Sequence, residues 1–550
     1  MQAFGRPGGP RRDASSSSSA PSQAGVAVAR EAATASTTGG GEDGSEPKVK
    51  QLAAGPVRTI LLNRPKALNA LDMDMILLIA DALQTFSKTP APVVLLRGVG
   101  RALCSGGDVM AVVKQAADED PAVRQQALTF FKAEFELDYA IATLFRRTGK
   151  TFVSVMDGIT MGGGVGLSVH APIRIATEKT LFAMPETGIG YWPDVGVTRQ
   201  LARLDGKVGF YLGITGARIS GEEAYIAGLA THYIPSSLLA EALERLGSLG
   251  PDAKSDSVSN VLDEFSADPF SETEVAKGPQ ILAQSALLGS RRVALDHVFG
   301  QKSAEGIFAA LEQLAAGAAD SEAAAELRTR GAELDEGVVS WARTTLDALL
   351  TKSPRSIKVS LRAIAAARQL EDAEAFRLDM RLATAFCDLG AGRDFHTGVM
   401  HTLARDPETG KRRTGVAPWD VRSVADVSDQ HISDLFFGDQ QAARSAGMTM
   451  DVPRLAGLPP PNALSADEQR AQRNKTKGLP PLGWQVGHNM FALPAEAEIA
   501  ALVSGYHPSS PPTQLEPEEV VAVLRSVKGD RRGLDGKVRE FLQRSGAAFA

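Results

Sequence analysis

Cysteine is scarce in this chain: its 550 residues hold two, Cys104 and Cys387. That excludes a disulfide scaffold and any multi-cysteine metal module. No run of about 18 uninterrupted apolar residues occurs, so no transmembrane helix is expected. An excess of one charge is missing too, since 59 Lys and Arg stand against 65 Asp and Glu, a formal net charge of −6. A whole-chain nucleic-acid binder needs a basic footprint that this balance does not supply. Dinucleotide and phosphate-loop signatures also fail. Leu167 and Val169 stand where G-x-G-x-x-G frames beginning at Gly162 and Gly164 require glycine, and Leu144 stands where a phosphate loop leading into Gly149-Lys150-Thr151 requires one. The chain ends Gly546-Ala-Ala-Phe-Ala550, which is not a Ser-Lys-Leu-type peroxisomal signal. The expectation that survives is a soluble protein of a reducing compartment, with two to four domains at about 100–200 residues each.

Residues 1–47 are rich in arginine (Arg6, Arg11, Arg12, Arg30) and serine (Ser15–Ser19), with one acid before Glu31. This composition suits an organellar transit peptide and equally a disordered tail; without an apolar h-region it does not suit a secretory signal. The body begins near residue 48. Val57–Leu62, Pro92–Arg97, Phe152–Met156, Ile173–Ala176 and Leu181–Ala183 read as short apolar strands, and Ala67–Lys88 shows helical apolar spacing at Leu71, Ile76, Ile79, Leu83 and Phe86. Strands alternating with helices make an α/β core over 48–235. Residues 236–437 read as mostly helical. Residues 438–550 read as a Pro-rich, loosely structured extension, with helix candidates at Ser465–Arg473, Pro517–Val527 and Leu534–Arg544.

Two glycine clusters follow strands: Cys104-Ser-Gly-Gly-Asp108 and Gly158-Ile-Thr-Met-Gly-Gly-Gly-Val-Gly166. Glycine lets a backbone approach a ligand closely. Two N–H groups from two such loops can meet on one carbonyl oxygen, an oxyanion hole worth about 2.7–4 kcal/mol per donor; two tight turns would explain the glycines as well. Farther on, Glu186 and Asp194 lie eight residues apart among glycines, proline and aromatics. An acid in apolar surroundings has a raised pKa and can act as a base near neutral pH. Cys104, beside the first glycine loop, reads as packing, and so does the pair His396 and His401, whose spacing of five does not suit a helical metal pair. Tyr191 and Trp192 read as lining for an acyl pocket or as core.

The combination of Arg64-Pro-Lys-Ala-Leu-Asn-Ala70, Cys104-Ser-Gly-Gly-Asp108, the triple glycine Gly162–Gly164, Ala176-Thr-Glu-Lys179, Phe182-Ala-Met-Pro-Glu186 and Pro193-Asp-Val-Gly196 resembles the 3-hydroxyisobutyryl-CoA hydrolases of the crotonase (enoyl-CoA hydratase/isomerase) superfamily. The resemblance continues through Ser353-Pro-Arg-Ser-Ile-Lys358 and Arg393-Asp-Phe-His-Thr-Gly398 and spans roughly residues 56–437. It implies a spiral of ββα turns with a helical C-terminal region, and acyl-CoA as substrate. It implies an oxyanion hole from Gly107 and Gly163, with the loop Ser105–Asp108 bordering the adenine pocket. Glu186 would be nucleophile or general base, Asp194 its partner acid at the 3-hydroxyl group, and Glu134 a further substrate-contacting acid. Hydratases of the superfamily carry a second glutamate two positions after the triple glycine; Gly166 stands there, which favours hydrolysis over hydration. No metal or redox cofactor is implied, and mitochondrial location is expected.

Departures from the family pattern are Val197 in place of a second glycine, where a branched side chain threatens to crowd the pocket, and Phe145–Lys150, which reads as a four-residue insertion. Asp157 stands where many relatives carry histidine, and Thr151 where proline is usual. Mitochondrial ribosomes of plants and protists carry a small-subunit protein of the same family. The extension therefore admits a second expectation, ribosome association, with Lys411-Arg412-Arg413, Arg473 with Lys475 and Lys477, and Arg531-Arg532 as candidate RNA contacts.

Overall fold

The computed structural model describes residues 46–271, 278–390, 392–405, 409–438, 488–510 and 515–549. The N-terminal 45 residues, the candidate helix Ser465–Arg473 and the cluster Arg473, Lys475 and Lys477 lie outside them.

Among the described residues, ten strands form two sheets. Strands β1 (Val49–Ala54), β2 (Val57–Leu62), β3 (Val93–Gly98), β5 (Thr151–Met156), β7 (Ile173–Ala176) and β10 (His232–Tyr233) make the larger, parallel after an initial β1–β2 hairpin. Strands β4 (Ala102–Cys104), β6 (Ile159–Met161), β8 (Leu181–Ala183) and β9 (Ile219–Ser220) make the smaller, with β4, β6 and β8 parallel. From β3 to β8 the chain visits the sheets alternately, one strand in each and then helical or irregular chain, so it winds as a spiral. This is the expected crotonase-like α/β architecture.

The central parallel strands β5 and β7 are buried along their whole length, because both faces are covered. In β3, Val94 and Leu96 face the main core, while Val93 and Leu95 face a second cluster under helices Leu239–Gly247 and Ser255–Asp263. The five strands expected from apolar runs are present within a residue or two.

The first helix differs from expectation. It starts at Met73, not Ala67, because Asp72 caps it through the Met75 amide at 2.9 Å. Before it, Leu68 and Asn69 adopt positive φ. Buried Asn69 is fixed there by the Arg64 amide at 2.8 Å and the Ala102 carbonyl at 2.8 Å. Of the stretch Phe145–Lys150, read as a four-residue insertion, residues 145–148 are the last turn of a 28-residue helix, Pro121–Thr148. It is begun by Pro121 after the cap Asp120 and closed by Gly149 at φ 70°.

Of the extension, the described residues 488–510 and 515–549 pack against the core. Helices Glu496–Val503, Pro517–Lys528 and Leu534–Phe549 bury Ile499, Leu502, Val520, Leu524, Leu534 and Val538. Arg174 of β7 is fully buried, and no carboxylate among the described residues pairs with it. Its guanidinium donates to the carbonyls of Ala171 (2.6 Å), Leu229 (2.8 Å) and Gly228 (3.1 Å), and to His488 and Asn489 Oδ1 at the start of the docked segment. The expected RNA contact at Arg531 is overturned: that side chain is buried and bonded to Asp263 at 2.9 Å and Ser259 at 3.0 Å. Lys537 is similarly consumed by Asp205 at 2.9 Å.

Replacing Arg174 by methionine strands those carbonyls and releases Asn489. Stability in urea should fall by about 3 kcal/mol, and residues 488–549 should become the first sites of limited proteolysis. An unchanged urea midpoint would contradict this account of the docking.

Candidate active site

Three neighbouring parallel strands each deliver one part of the site from their C-terminal ends. After β4 come Gly106 and Gly107, tied down by the Leu71 amide on the Gly106 carbonyl (2.9 Å) and the Asp108 amide on the Leu71 carbonyl (2.7 Å). After β6 come Gly162 and Gly163, the latter opening helix Gly163–Val169. After β8 and Met184-Pro185 comes Glu186, the first residue of a short 3₁₀ turn, Glu186–Ile189. That turn is buttressed from the helical region: the Ser353 amide donates to the Thr187 carbonyl at 3.1 Å, and Ser353 Oγ to buried Asp394 at 2.6 Å.

The two glycine loops abut. A Cβ on Gly106 would stand 4.0 Å from the Gly163 nitrogen. Neither the Gly107 nor the Gly163 amide donates a hydrogen bond to a described residue; Gly163, as a first helical residue, has no partner within its helix. Over them lies Glu134, from helix Pro121–Thr148. A Cβ on Gly163 would overlap Glu134 Oε1, and one on Gly107 would stand 3.8 Å from the same oxygen and 3.2 Å from Phe130. Glycine at 163 is therefore required by the close approach of this carboxyl group. A Cβ on Gly162 would stand 3.1 Å from Glu186 Oε1, which places the second glutamate at the same junction.

Glu134, Glu186 and Asp194 are all buried. Glu134 Oε1 and Glu186 Oε2 have no hydrogen-bond partner. Burial raises the Glu186 carboxyl to about 8, with a smaller push from Glu134. Burial likewise raises Glu134. Asp194 is held well above the usual carboxylate range, first by burial and then by the charges of Glu134, Glu186 and Asp379. Two further buried acids adjoin these three and were not singled out from sequence: Asp138, one turn after Glu134, and Asp379, in helix Asp372–Cys387. The i, i+4 spacing of Glu134 and Asp138 on an otherwise apolar helix face is the signal that would have found Asp138. Asp379 converges only in space.

Thus Gly107, Gly163, Glu134 and Glu186 meet, and Asp194 senses both glutamates. Cys104 is fully buried, and its thiol is pushed up to about 12, mainly by burial, so it is a protonated packing group. Tyr191 and Trp192 stack with Phe131, Phe386 and Phe395 within the core. Val197 is a buried core residue of helix Val197–Leu201; the branched side chain nearest the glycine helix is that of Val195, whose Cβ would stand 2.7 Å from a Cβ on Gly166.

The enoyl-CoA hydratase/isomerase family profile matches residues 57–436. Small ribosomal subunit protein mS47 of Neurospora crassa is 36% identical over 390 residues, 69% of each chain. The 3-hydroxyisobutyryl-CoA hydrolase 1 of Arabidopsis thaliana is 35% identical over 385 residues, 69% of this chain and 89% of that one. The human mitochondrial 3-hydroxyisobutyryl-CoA hydrolase is 32% identical over 384 residues, 70% of this chain and 86% of that one. Among solved structures, a carnitinyl-CoA dehydratase from Mycobacterium thermoresistibile aligns with a TM-score of 0.57 at 27% identity, covering 75% of this chain and 100% of its own. An enoyl-CoA hydratase from Rhodobacter sphaeroides aligns with a TM-score of 0.52 at 28% identity, covering 72% and 99%.

A buried acid with a raised pKa contributes stability that is full below the unfolded value of 4.5 and is lost as the pH climbs toward the folded value. Glu134→Gln keeps the shape and removes the ionisation. It should raise stability on the order of 2 kcal/mol at pH 8 and far less at pH 5. Thermal melts at the two pH values check this; an equal shift at both would contradict it.

Proposed function

The chain belongs to the enoyl-CoA hydratase/isomerase family, and from that membership we propose that it hydrolyses 3-hydroxyisobutyryl-CoA, or a related 3-hydroxyacyl-CoA thioester, to CoA and the free 3-hydroxy acid. The observation that carries this reading is the meeting of two unpartnered amides, Gly107 and Gly163, with two buried carboxyl groups, Glu134 and Glu186, that each keep an unpartnered oxygen. Buried polar groups left without partners in a protein interior are expensive. A thioester carbonyl oxygen would take both amides, and the developing oxyanion would be stabilised by about 2.7–4 kcal/mol for each.

The mechanism needs only water as co-reactant. Deprotonated Glu186 either attacks the polarised C1 carbonyl, giving an acyl anhydride that water then opens, or removes a proton from the water that attacks it. The C–S bond breaks, CoA leaves as thiolate and takes up the released proton, and the acid departs. Asp194 holds the 3-hydroxyl group, and Glu134 contacts the acyl part. Glycine at 166 supports hydrolysis over hydration, because it offers no second proton-transfer group at that place. Location in mitochondria is supported by the relatives whose names carry it.

A second reading, association with the mitochondrial ribosomal small subunit, is supported by the likeness to mS47. It is compatible with the first, since the acids are in place. Because residues 488–549 are part of the core, the informative variant replaces residues 439–487 with a flexible linker. Under this reading, co-sedimentation with ribosomes is lost while thiol release persists; co-sedimentation absent from the full chain would reject it.

Thiol release from 3-hydroxyisobutyryl-CoA should fall by at least about 10²-fold in Glu186→Gln. A base raised to about 8 must lose its proton to work, so kcat/KM should rise through pH 7–9 with a midpoint near 8. Turnover indifferent to Glu186→Gln, or absent on every 3-hydroxyacyl-CoA tried, would overturn the hydrolase reading.

A further inference from the structure

The segment Asp194-Val195-Gly196 turns in a conformation that its own sequence resists. Val195 has φ 53°, in the left-handed region, where a β-branched residue is a genuine outlier. Such a backbone persists only where its surroundings over-determine it.

The surroundings grip one peptide unit from two sides. His170, at the end of helix Gly163–Val169, places Nε2 2.7 Å from the Val195 carbonyl oxygen. That oxygen can only accept, so Nε2 carries the proton. Nδ1 then accepts from Gln200 Nε2 at 2.9 Å. Both ring nitrogens are used and the imidazole is neutral, in keeping with a pKa that burial lowers to about 4. On the other side, Asp379 Oδ2 accepts the Gly196 amide at 2.6 Å. The Val195 carbonyl and the Gly196 amide belong to the same planar peptide, so its rotation is barred at both ends.

The side chains close the remaining space. Gly196, at φ 72°, lies so near Phe376 and His170 that a Cβ would stand 2.6 Å and 2.8 Å from them. The Val195 side chain fills the room opened by Gly166, beside Asp138, whose Oδ2 would stand 2.5 Å from a Cβ at 166. The glycine that replaces the hydratase acid is thus the glycine that admits the strained valine.

We propose that His170 and Asp379 are positioning residues: they clamp the Val195–Gly196 peptide and so set the carboxyl group of Asp194 in the acyl site. The proposal rests on the hydrolase reading for what Asp194 does, and on geometry alone for the clamp. Neither residue touches the substrate. Without the clamp, Val195 relaxes to negative φ and carries the preceding residue, Asp194, out of register with Glu186.

The test compares His170→Ala with His170→Gln on the full chain, since a glutamine amide can still donate to the Val195 carbonyl. His170→Ala should lower kcat about 10²-fold, the effect of a displacement of about 1 Å at a catalytic group, with KM within about twofold. His170→Gln should recover most of that loss. Crystal structures of wild type and His170→Ala supply the second readout: Val195 leaves the left-handed region and the Asp194 carboxyl moves. If His170→Ala does not fold, Asp379→Ala against Asp379→Asn is read in the same way, because asparagine Oδ1 still accepts the Gly196 amide. A kcat loss that glutamine or asparagine does not rescue, or a Val195 φ that stays positive in the alanine variant, overturns the clamp. A wild type without thiol release defeats the hydrolase reading instead, and the crystal structures still decide the clamp.

Discussion

The burial of acid against glycine is the constraint on which this architecture turns. A side chain at residue 163 would displace the Glu134 carboxyl group from where it lies, and one at residue 162 would press on that of Glu186. Once there, the carboxyl groups are desolvated and crowd one another, which pushes Glu186 to about 8 and raises Glu134 and Asp194. The Gly107 and Gly163 backbones lie beside one buried carboxyl group, that of Glu134, and a donor sheltered from water is worth more than one in bulk solvent. Each acid would be easier to accommodate near the surface, and there it would be an ordinary carboxylate, ionised and of little use as a base near pH 8.

Holding that arrangement draws on distant parts of the chain. The turn carrying Glu186 leans on Ser353 and Asp394, and Arg355 joins Asp394 (3.6 Å) to Asp420 (3.0 Å). The sheet behind it is closed by the last described segments. Arg174 binds His488 and Asn489, Arg292 and Arg544 share Glu496, and Lys537 meets Asp205. The ion pairs of Arg292, Arg544 and Lys537 are buried or nearly so, where removing one partner costs far more than at a surface. The C-terminal segments are accordingly a structural part of the body, whatever else the chain binds.

Much of the site was legible in the sequence because it is built from local motifs. Glycine clusters directly after short apolar strands, and Glu186 after a third, mark the loops that the parallel sheet brings side by side. Strand positions were legible for the same reason: apolar runs with no alternation mean coverage on both faces. Other features were hidden by physics that acts at a distance. The start of the first helix depends on Asn69, fixed by a carbonyl 33 residues away. Arg531 looked like a free cation because its partner, Asp263, lies far back in the chain. In the extension the helices beginning at Pro517 and Leu534 were legible from local signals, but the surfaces they pack on were not, because those lie far away in the chain. Asp379 and His170 were silent for the same reason, since the peptide they bond, Val195–Gly196, lies far from each in the chain.

The central claim is that the amides of Gly107 and Gly163 receive a thioester carbonyl among these acids. A crystal structure with a non-hydrolysable 3-hydroxyisobutyryl-CoA analogue, its sulfur replaced by methylene, tests this most directly. The account requires the acyl carbonyl oxygen within about 3 Å of both amide nitrogens, with the 3-hydroxyl group toward Asp194. An analogue whose carbonyl faces away from the two glycines, or which binds at another place, would contradict it.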